Sequence, residues 1–250
     1  MTLFAPDALV GKAALVTGAS SGLGRHFAQL LARHGARVIA AARRQAELEA
    51  LVATLGHGAR ALALDLTDAP AVERAMAALG PLDIVVNNAG IALTRPAVDV
   101  ADDDWQRVLD TNLTGAFRVA RGAARALAEA KAGGAIVNIA SVLGLRVAKQ
   151  IPAYVAAKAG LLKLTEALAL EFAPLSIRVN ALAPGYIETD LNREFLRSAA
   201  GEAMAKRVPM RRFGVPADLD GAFLLLVSDA GRYMTGTTIV VDGGHTLAWL

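Results

Sequence analysis

Tyr154 and Lys158 stand four residues apart in Y-V-A-A-K, a spacing that places them one turn apart on one face of a helix. An ammonium close to a phenol favours the phenolate, so the pair predicts a tyrosine drawn below its reference pKa of about 10 and able to trade protons near neutrality. Ser141 follows an apolar run, where its hydroxyl can donate to a substrate oxygen. Asn112, in D-T-N-L, can hold a water through its side chain or through the carbonyl of a distorted helix, and so connect Lys158 to solvent. Taken singly these are ordinary residues: a surface pair, a turn serine and a helix cap. What gives them weight is where the surrounding elements put them.

A second group has the chemistry of phosphate binding. T-G-A-S-S-G-L-G at 17–24 follows the apolar run Ala13 to Thr17 and opens a helical pattern through Phe27, Leu30 and Leu31. The missing side chains of Gly18, Gly22 and Gly24, with Ser20, Ser21 and Leu23 completing the turn, let backbone approach a pyrophosphate while helix N-terminal amides supply partial positive charge. The spacing is not G-x-G-x-x-G, and Arg25 does not supply the Lys-Ser/Thr of a phosphate-transferring loop. The second strand ends V-I-A-A-A-R-R. A site that selects NAD places an acid there for the ribose hydroxyls; this chain has Ala42 followed by Arg43, which predicts NADP(H), with NAD(H) the alternative. Asp65, with Leu66 after it, closes the third strand and can accept from an adenine amino group. Asn88, Ala89 and Gly90 of N-N-A-G close the fourth, where small residues admit the cofactor.

The elements needed to hold these groups alternate regularly. After the first strand come Arg37 to Ala42 and a helix from Arg44 to Leu55, then Ala61 to Asp65 and a helix from Ala69 to Leu79. Ile84 to Asn87 is followed by one helical stretch from about Asp103 to Ala130, and Ala135 to Ala140 by a helix from about Tyr154 to Phe172. Ile177 to Leu182 and Thr238 to Val241 complete seven strands. Continuous apolar strands separated by helices predict an α/β chain: a single-domain Rossmann fold over 1–250, with a doubly wound seven-stranded parallel sheet flanked by helices. The excursion from Pro184 to Pro216 breaks the rhythm; its part from about 186 to 215 reads as a small helical lid over a substrate, since ligands in open sheets sit beyond the carboxyl ends of the strands.

Composition removes several rival classes. With 250 residues, 54% hydrophobic and 20% charged, the chain can bury a full core and is far from disorder. It has no cysteine, which excludes disulfides, thiolate nucleophiles and cysteine-ligated metals. The four histidines, His26, His34, His57 and His245, show no ligand spacing and read as helix-surface or loop residues; no metal is expected. The net charge of +3 comes without a basic arm or interleaved aromatics, so no nucleic-acid partner is expected. Neither the opening M-T-L-F-A-P-D nor the uncharged run Ala132 to Leu145 has the form of a leader or a membrane span, which predicts a cytoplasmic protein without a membrane partner.

The chain resembles the short-chain dehydrogenase/reductase family over essentially its whole length: TGASSGLG at 17–24, NNAG at 87–90, Asn112, Ser141, YVAAK at 154–158 and PGYIETD at 184–190. The resemblance is nearest to bacterial 3-oxoacyl-carrier reductase-like and sugar or gluconate dehydrogenase-like members. It implies reversible hydride transfer between a nicotinamide cofactor and a carbonyl or secondary alcohol. Tyr154 would be the acid–base, Ser141 the group that polarises the carbonyl, Lys158 the ribose ligand that assists Tyr154, and Asn112 the holder of a relay water. Pro184, Gly185, Ile187 and Thr189 would lie beside the nicotinamide. The basic residue that many NADP-preferring relatives carry before the second motif glycine is Ser21 here, leaving Arg43 to act largely alone. Specificity would come from Ile91 to Arg95, Val142 to Leu145, Ala148 to Ile151, Tyr186 and the segment around Leu191 to Met204; among these Leu143, Ile151 and Tyr186 are expected to touch substrate with Ser141 and Tyr154. The mostly apolar character favours a neutral or partly apolar ketone. Leu175 and Ser176 stand where carrier reductases often have a basic docking residue, which counts against a dedicated carrier role. A homotetramer is implied, with the C-terminal T-L-A-W-L run a candidate contact. Two alternatives stay open: an NAD(H)-dependent sugar or polyol dehydrogenase, and a non-catalytic dinucleotide-binding protein.

Overall fold

β1 (Ala13–Thr17) is buried along its whole length, as its unbroken apolar sequence requires, and lies third in a seven-stranded sheet. A computed structural model describes residues 4–190 and 192–248, with the backbone alone for Phe195; Leu191, Trp249 and Leu250, named above as candidate substrate and subunit contacts, lie outside the described residues. The other strands are β2 (Arg37–Ala42), β3 (Arg60–Ala63), β4 (Ile84–Asn87), β5 (Gly134–Ile139), β6 (Ile177–Pro184) and β7 (Thr238–Val241). Their order is β3-β2-β1-β4-β5-β6-β7 and every neighbouring pair is parallel.

The connecting helices are α1 (Gly22–Arg33), α2 (Gln45–Leu55), α3 (Ala69–Leu79), α4 (Asp102–Leu109), α5 (Gly115–Glu129), α6 (Pro152–Phe172), two short helices α7 (Arg193–Leu196) and α8 (Ala199–Ala205), and α9 (Asp220–Val227). Successive strand residues point to opposite faces. Val16, Val38 and Ile84 accordingly join the core under α1, α2 and α9, while Leu15, Ile39 and Val85 join the core under α3, α5 and α6. Phe27 of α1 stacks on Phe223 of α9 with ring centroids 4.3 Å apart. The fold is the expected single-domain Rossmann architecture, its sheet covered by helices on both faces.

Strand order reverses between β1 and β4, which opens a crevice at their carboxyl ends. Register keeps those ends level, with Val16 opposite Val86 and Asn87 opposite Asn138. Gly18, Asn88 and Ser141 therefore emerge along one edge, close enough to share a ligand.

The single helix expected from Asp103 to Ala130 is broken. Asp110–Thr114 forms a stretch of π-helix between α4 and α5, an insertion that frees backbone groups and recurs at functional sites. β3 ends at Ala63, two residues short of Asp65, because Asp65 accepts hydrogen bonds from the Thr67 amide (2.9 Å) and hydroxyl (2.8 Å), a local turn that competes with strand pairing. The excursion after β6 returns to its starting point: the Gly214 amide donates to the Tyr186 carbonyl (2.9 Å) and the Glu188 amide to the Gly214 carbonyl (2.8 Å), pinching residues 186–214 at the neck. Among the described residues no helix is long and apolar enough to cross a membrane, and no three His, Asp or Glu side chains are grouped to share a metal ion.

Candidate active site

α6 begins with Pro152 at its first turn, where a fixed φ and a missing N–H cost nothing. Tyr154 and Lys158 follow on the inward face of its first two turns and both border one cleft. Ser141 leaves β5 in extended conformation and caps a short turn, Val142–Gly144, by accepting from the Leu143 amide at 3.1 Å. Gly144 makes this approach possible: a Cβ there would stand 2.8 Å from the Lys158 carbonyl oxygen. The turn therefore rests directly on α6 and brings the Ser141 hydroxyl into hydrogen-bonding contact with the Tyr154 phenol.

Lys158 is 4% exposed and its Nζ donates to the Ile139 carbonyl at 2.7 Å. Nζ lies 5.7 Å from the centre of the Tyr154 ring. The spacing argument predicts a lowered tyrosine pKa, and the structure corrects that. Burial pushes the Tyr154 phenol up from its ordinary value; the Ser141 hydrogen bond works against the rise, and the nearby Tyr186 adds to it. Burial also pushes Lys158 down to about 8. Burial is the largest cause of both shifts, so the protein alone holds Tyr154 as a proton donor.

Asn112 stands in the π-helical stretch, 1% exposed, and does not line the cleft. Of the two ways it can hold a water, the side chain is already committed: Oδ1 accepts from the Ile91 amide and Nδ2 donates to the Ile91 carbonyl, both at 2.8 Å. That clasp fixes the loop after β4 against the helix and leaves the distorted backbone as the remaining route to Lys158.

The cleft has a volume of about 970 Å³, at the upper end of ligand pockets and large enough for an extended molecule. Gly18, Ser20, Ser21, Gly22 and Leu23 border it at the α1 end. Ser21 precedes α1 without a side-chain capping bond, and the first turn holds no acid, so the α1 amides are open to an anion. Gly24, counted with the cofactor contacts from sequence, is tightly packed and does not border the cleft: a Cβ there would lie 2.3 Å from the Gly18 oxygen and 2.4 Å from Asn88 Nδ2. Arg43, Asp65 and Leu66 form the far end, where bonds from Thr67 lower the Asp65 carboxyl against partial burial, with help from the Arg43 charge. Asn88, Ala89 and Gly90 form the floor, while Pro184, Gly185, Ile187 and Thr189 border the side below Tyr154. A turn open to anions, two arginines and a long floor of small residues fit a dinucleotide.

Beyond Tyr154 the cleft is walled by Leu143, Ile151 and Tyr186 and by Ile91, Ala92 and Thr94 of the expected specificity segment Ile91 to Arg95. Tyr186 packs against Phe213 and His245, with ring centroids 5.9 and 5.5 Å away. His245, expected on a surface or in a loop, is 7% exposed because its turn after β7 folds under Tyr186. His26 lies half-buried on α1 and pairs with Asp220 of α9 at 2.5 Å.

The sequence profile of the family described as enoyl-(acyl carrier protein) reductase matches residues 18–246. The 3-oxoacyl-(acyl-carrier-protein) reductase of Vibrio harveyi is 38% identical over 240 residues, covering 94% of this chain and 98% of its own. The chain belongs to the short-chain dehydrogenase/reductase family. The activity this membership carries is NAD(P)(H)-dependent oxidoreduction at carbonyl and alcohol groups. D-threitol dehydrogenase of Mycolicibacterium smegmatis is equally similar, 38% identical over 246 residues with 96% and 94% covered. Among solved structures, gluconate 5-dehydrogenase of Burkholderia cenocepacia in complex with NADP and tartrate superposes with a TM-score of 0.90 at 34% identity, over 97% of this chain and 98% of its own.

For a short-chain dehydrogenase/reductase, the feature that sequence reasoning missed is Arg44. It precedes α2 instead of entering it, and its Nη2 donates to Ser20 Oγ at 2.9 Å and Ser21 Oγ at 3.0 Å. A second guanidinium thus covers the turn from which a basic residue is missing at Ser21. The R-R pair was the available signal, but the assignment to Arg43 alone treated Arg44 as the first residue of a helix. Thr17 was also passed over: its buried hydroxyl accepts from the Asn88 and Ala89 amides, both at 3.1 Å, and ties β1 to the floor of the cleft.

Proposed function

We propose that this protein is an NADP(H)-preferring carbonyl reductase, running in reverse as a secondary-alcohol dehydrogenase, with Tyr154 as its acid–base. The observation that carries the reading is the cleft itself, with Ser141, Tyr154 and Lys158 converging at one end and Arg43 and Arg44 flanking the open α1 turn at the other. The Burkholderia gluconate 5-dehydrogenase, which holds NADP, supports the same cofactor here.

A nicotinamide cofactor bound in the cleft would supply or accept the hydride. In reduction the Tyr154 hydroxyl gives its proton to the carbonyl oxygen as that oxygen gains negative charge, and the Ser141 hydroxyl donates a second hydrogen bond to it. Lys158, held on the Ile139 carbonyl, keeps positive charge beside the phenolate that results and hands it a proton, which Lys158 regains from solvent through a water held by the π-helical backbone carbonyl at Asn112. In oxidation Tyr154 takes the proton from the alcohol instead. The α1 amides, Arg43 and Arg44 would hold the phosphates, Asp65 the adenine, Ile187 the carboxamide, and Thr189 the carboxamide or the pyrophosphate. The segment 186–214 covers the substrate. The protein works in the cytoplasm on a small molecule, as a homotetramer, without nucleic-acid or membrane partners.

Loss of nicotinamide absorbance, followed with NADPH and with NADH across a panel of ketones, tests this. NADPH-linked turnover is expected. Preference for NADH would overturn the roles of the two arginines, and silence with every ketone would overturn the reductase reading.

A further inference from the structure

We infer that the substrate is a neutral carbonyl compound, or the matching alcohol, with an apolar flank, and that Thr94 is the position that turns away carboxylate-bearing substrates. This rests on the reductase reading and adds the substrate class to it.

The reacting end of the cleft is almost without charge or polarity. Beyond Ser141 and Tyr154 it is walled by Ile91, Ala92, Leu143 and Ile151, with the hydroxyls of Thr94 and Tyr186 beside them; Thr111, Thr189 and Asn192 also border the cleft, but their side chains are already bonded within the protein, Thr111 to the Arg107 carbonyl and Asn192 to Thr189 and the Ile187 carbonyl. Among the described residues that line the cleft, three are cations. Arg43 and Arg44 stand at the opposite end, Arg44 on Ser20 and Ser21. Lys158 lies beneath the reacting atoms, buried and bonded to the Ile139 carbonyl. None of the three faces a group attached to the substrate beyond its carbonyl.

Three cations that border the mouth are paired with acids of the protein. Arg95, next to Thr94, is drawn to Asp104 at 3.2 Å. Arg193 and Arg197 of the lid segment both pair with Glu188, at 3.0 and 2.8 Å. A carboxylate entering this end would leave water for an apolar wall with no partner, which is strongly unfavourable. A polyhydroxylated chain meets few uncommitted polar groups on this wall, and each unmet hydroxyl counts against it. A neutral, apolar flank loses nothing on entry and gains burial.

Thr94 is the place where one substitution reverses this. It is exposed on the loop after β4, and the loop is anchored beside it, since the Arg95 amide donates to the Gln150 carbonyl across the cleft mouth at 2.6 Å. Thr94 is exposed and lines the cleft, so a longer cationic side chain there would start from a fixed base at the substrate end.

The test compares two stable ketones with one carbon skeleton, the ester ethyl 4-oxopentanoate and the free acid 4-oxopentanoate, together with 5-keto-D-gluconate, each with NADPH and the wild-type or Thr94→Arg enzyme. Wild type is expected to favour the ester over the acid by about a hundredfold in kcat/KM, two decades being the scale of an unpaired carboxylate in an apolar site. Thr94→Arg is expected to raise kcat/KM for the acid and lower it for the ester, shrinking the ratio at least about tenfold, with NADPH titration as the check on folding. Turnover of the acid or of the keto-sugar acid by wild type at or above that of the ester would overturn the inference and leave the reductase reading standing. So would a Thr94→Arg enzyme that binds NADPH and keeps the wild-type ratio. Failure of all three ketones to consume NADPH would overturn both.

Discussion

Replacing Arg44 by alanine removes the guanidinium that spans Ser20 and Ser21 at 2.9 and 3.0 Å and leaves the glycine-rich turn otherwise intact. A charge-assisted hydrogen bond is worth about 1.5–3 kcal/mol. Arg44 is 51% exposed and shares its charge with Glu47 at 3.4 Å, so water and a neighbouring acid reduce its pull to the low end, about 1.4 kcal/mol or a factor of about ten. The NADPH dissociation constant should therefore rise about tenfold while that of NADH, which lacks the 2′-phosphate, changes by less than about twofold. Arg43→Ala should cost a comparable amount. If both arginines face one phosphate, the double variant loses less or more than the sum, because groups with a shared partner do not act additively. Titration of nicotinamide fluorescence at low and moderate salt reads all of this; added salt should narrow the preference in wild type and do little in the double variant. An unchanged NADPH/NADH ratio in Arg44→Ala, with the whole preference lost in Arg43→Ala, would refute the role of Arg44 and restore the single-arginine expectation.

Asn112→Ala deletes both bonds to the Ile91 peptide and leaves a buried amide and carbonyl without partners, at a cost of about 2 kcal/mol; urea denaturation should show the loss, and wild-type stability would contradict the clasp. Lys158 sits at about 8 in the fold against 10.5 in the open chain, so the unfolded state binds more protons between those values and stability should rise with pH across that window, by up to about 3 kcal/mol. Denaturation curves at pH 7, 9 and 10.5 should show this rise for wild type relative to Lys158→Met, and parallel pH dependences would contradict it. Because burial raises the Tyr154 phenol, alcohol oxidation, which needs the phenolate, should speed up as pH climbs past neutrality, whereas an oxidation profile flat from pH 6 to 9 would count against Tyr154 as the base. Gly24→Ala forces a Cβ to within 2.3 Å of the Gly18 oxygen; the variant should lose NADPH affinity or fail to fold, and a soluble variant with normal affinity would show that the contact yields.

The seven parallel strands, the carboxyl-end placement of the motifs and most of the cleft were legible because each rests on a local pattern: continuous apolar strands, a glycine turn between strand and helix, a four-residue spacing. What escaped depended on competition that spacing does not record. The pKa of Tyr154 follows from how deeply α6 and the Ser141 turn bury it, and Gly144 reveals that closeness only once the turn lies on the helix. The break at Asp110–Thr114 carries no proline or glycine inside it. It is held by the Asn112 clasp to Ile91, 21 residues away in the chain. Arg44 escaped because a residue just before a helix and one inside its first turn look alike in sequence, yet only the first can reach back to Ser20. His245 escaped because its burial comes from Tyr186, brought there by the return of the chain along β7.

The central claim is that Tyr154 moves the proton. The measurement that tests it most directly is the single-turnover rate of NADPH oxidation by wild type and Tyr154→Phe on a ketone that wild type reduces, with NADPH binding measured on the same samples. The account predicts unchanged binding and a rate lower by about a thousandfold, the middle of the range for general acid catalysis. A Tyr154→Phe enzyme that binds NADPH and turns over within about tenfold of wild type across pH would contradict it, since a contribution so small is below what a positioned proton donor supplies.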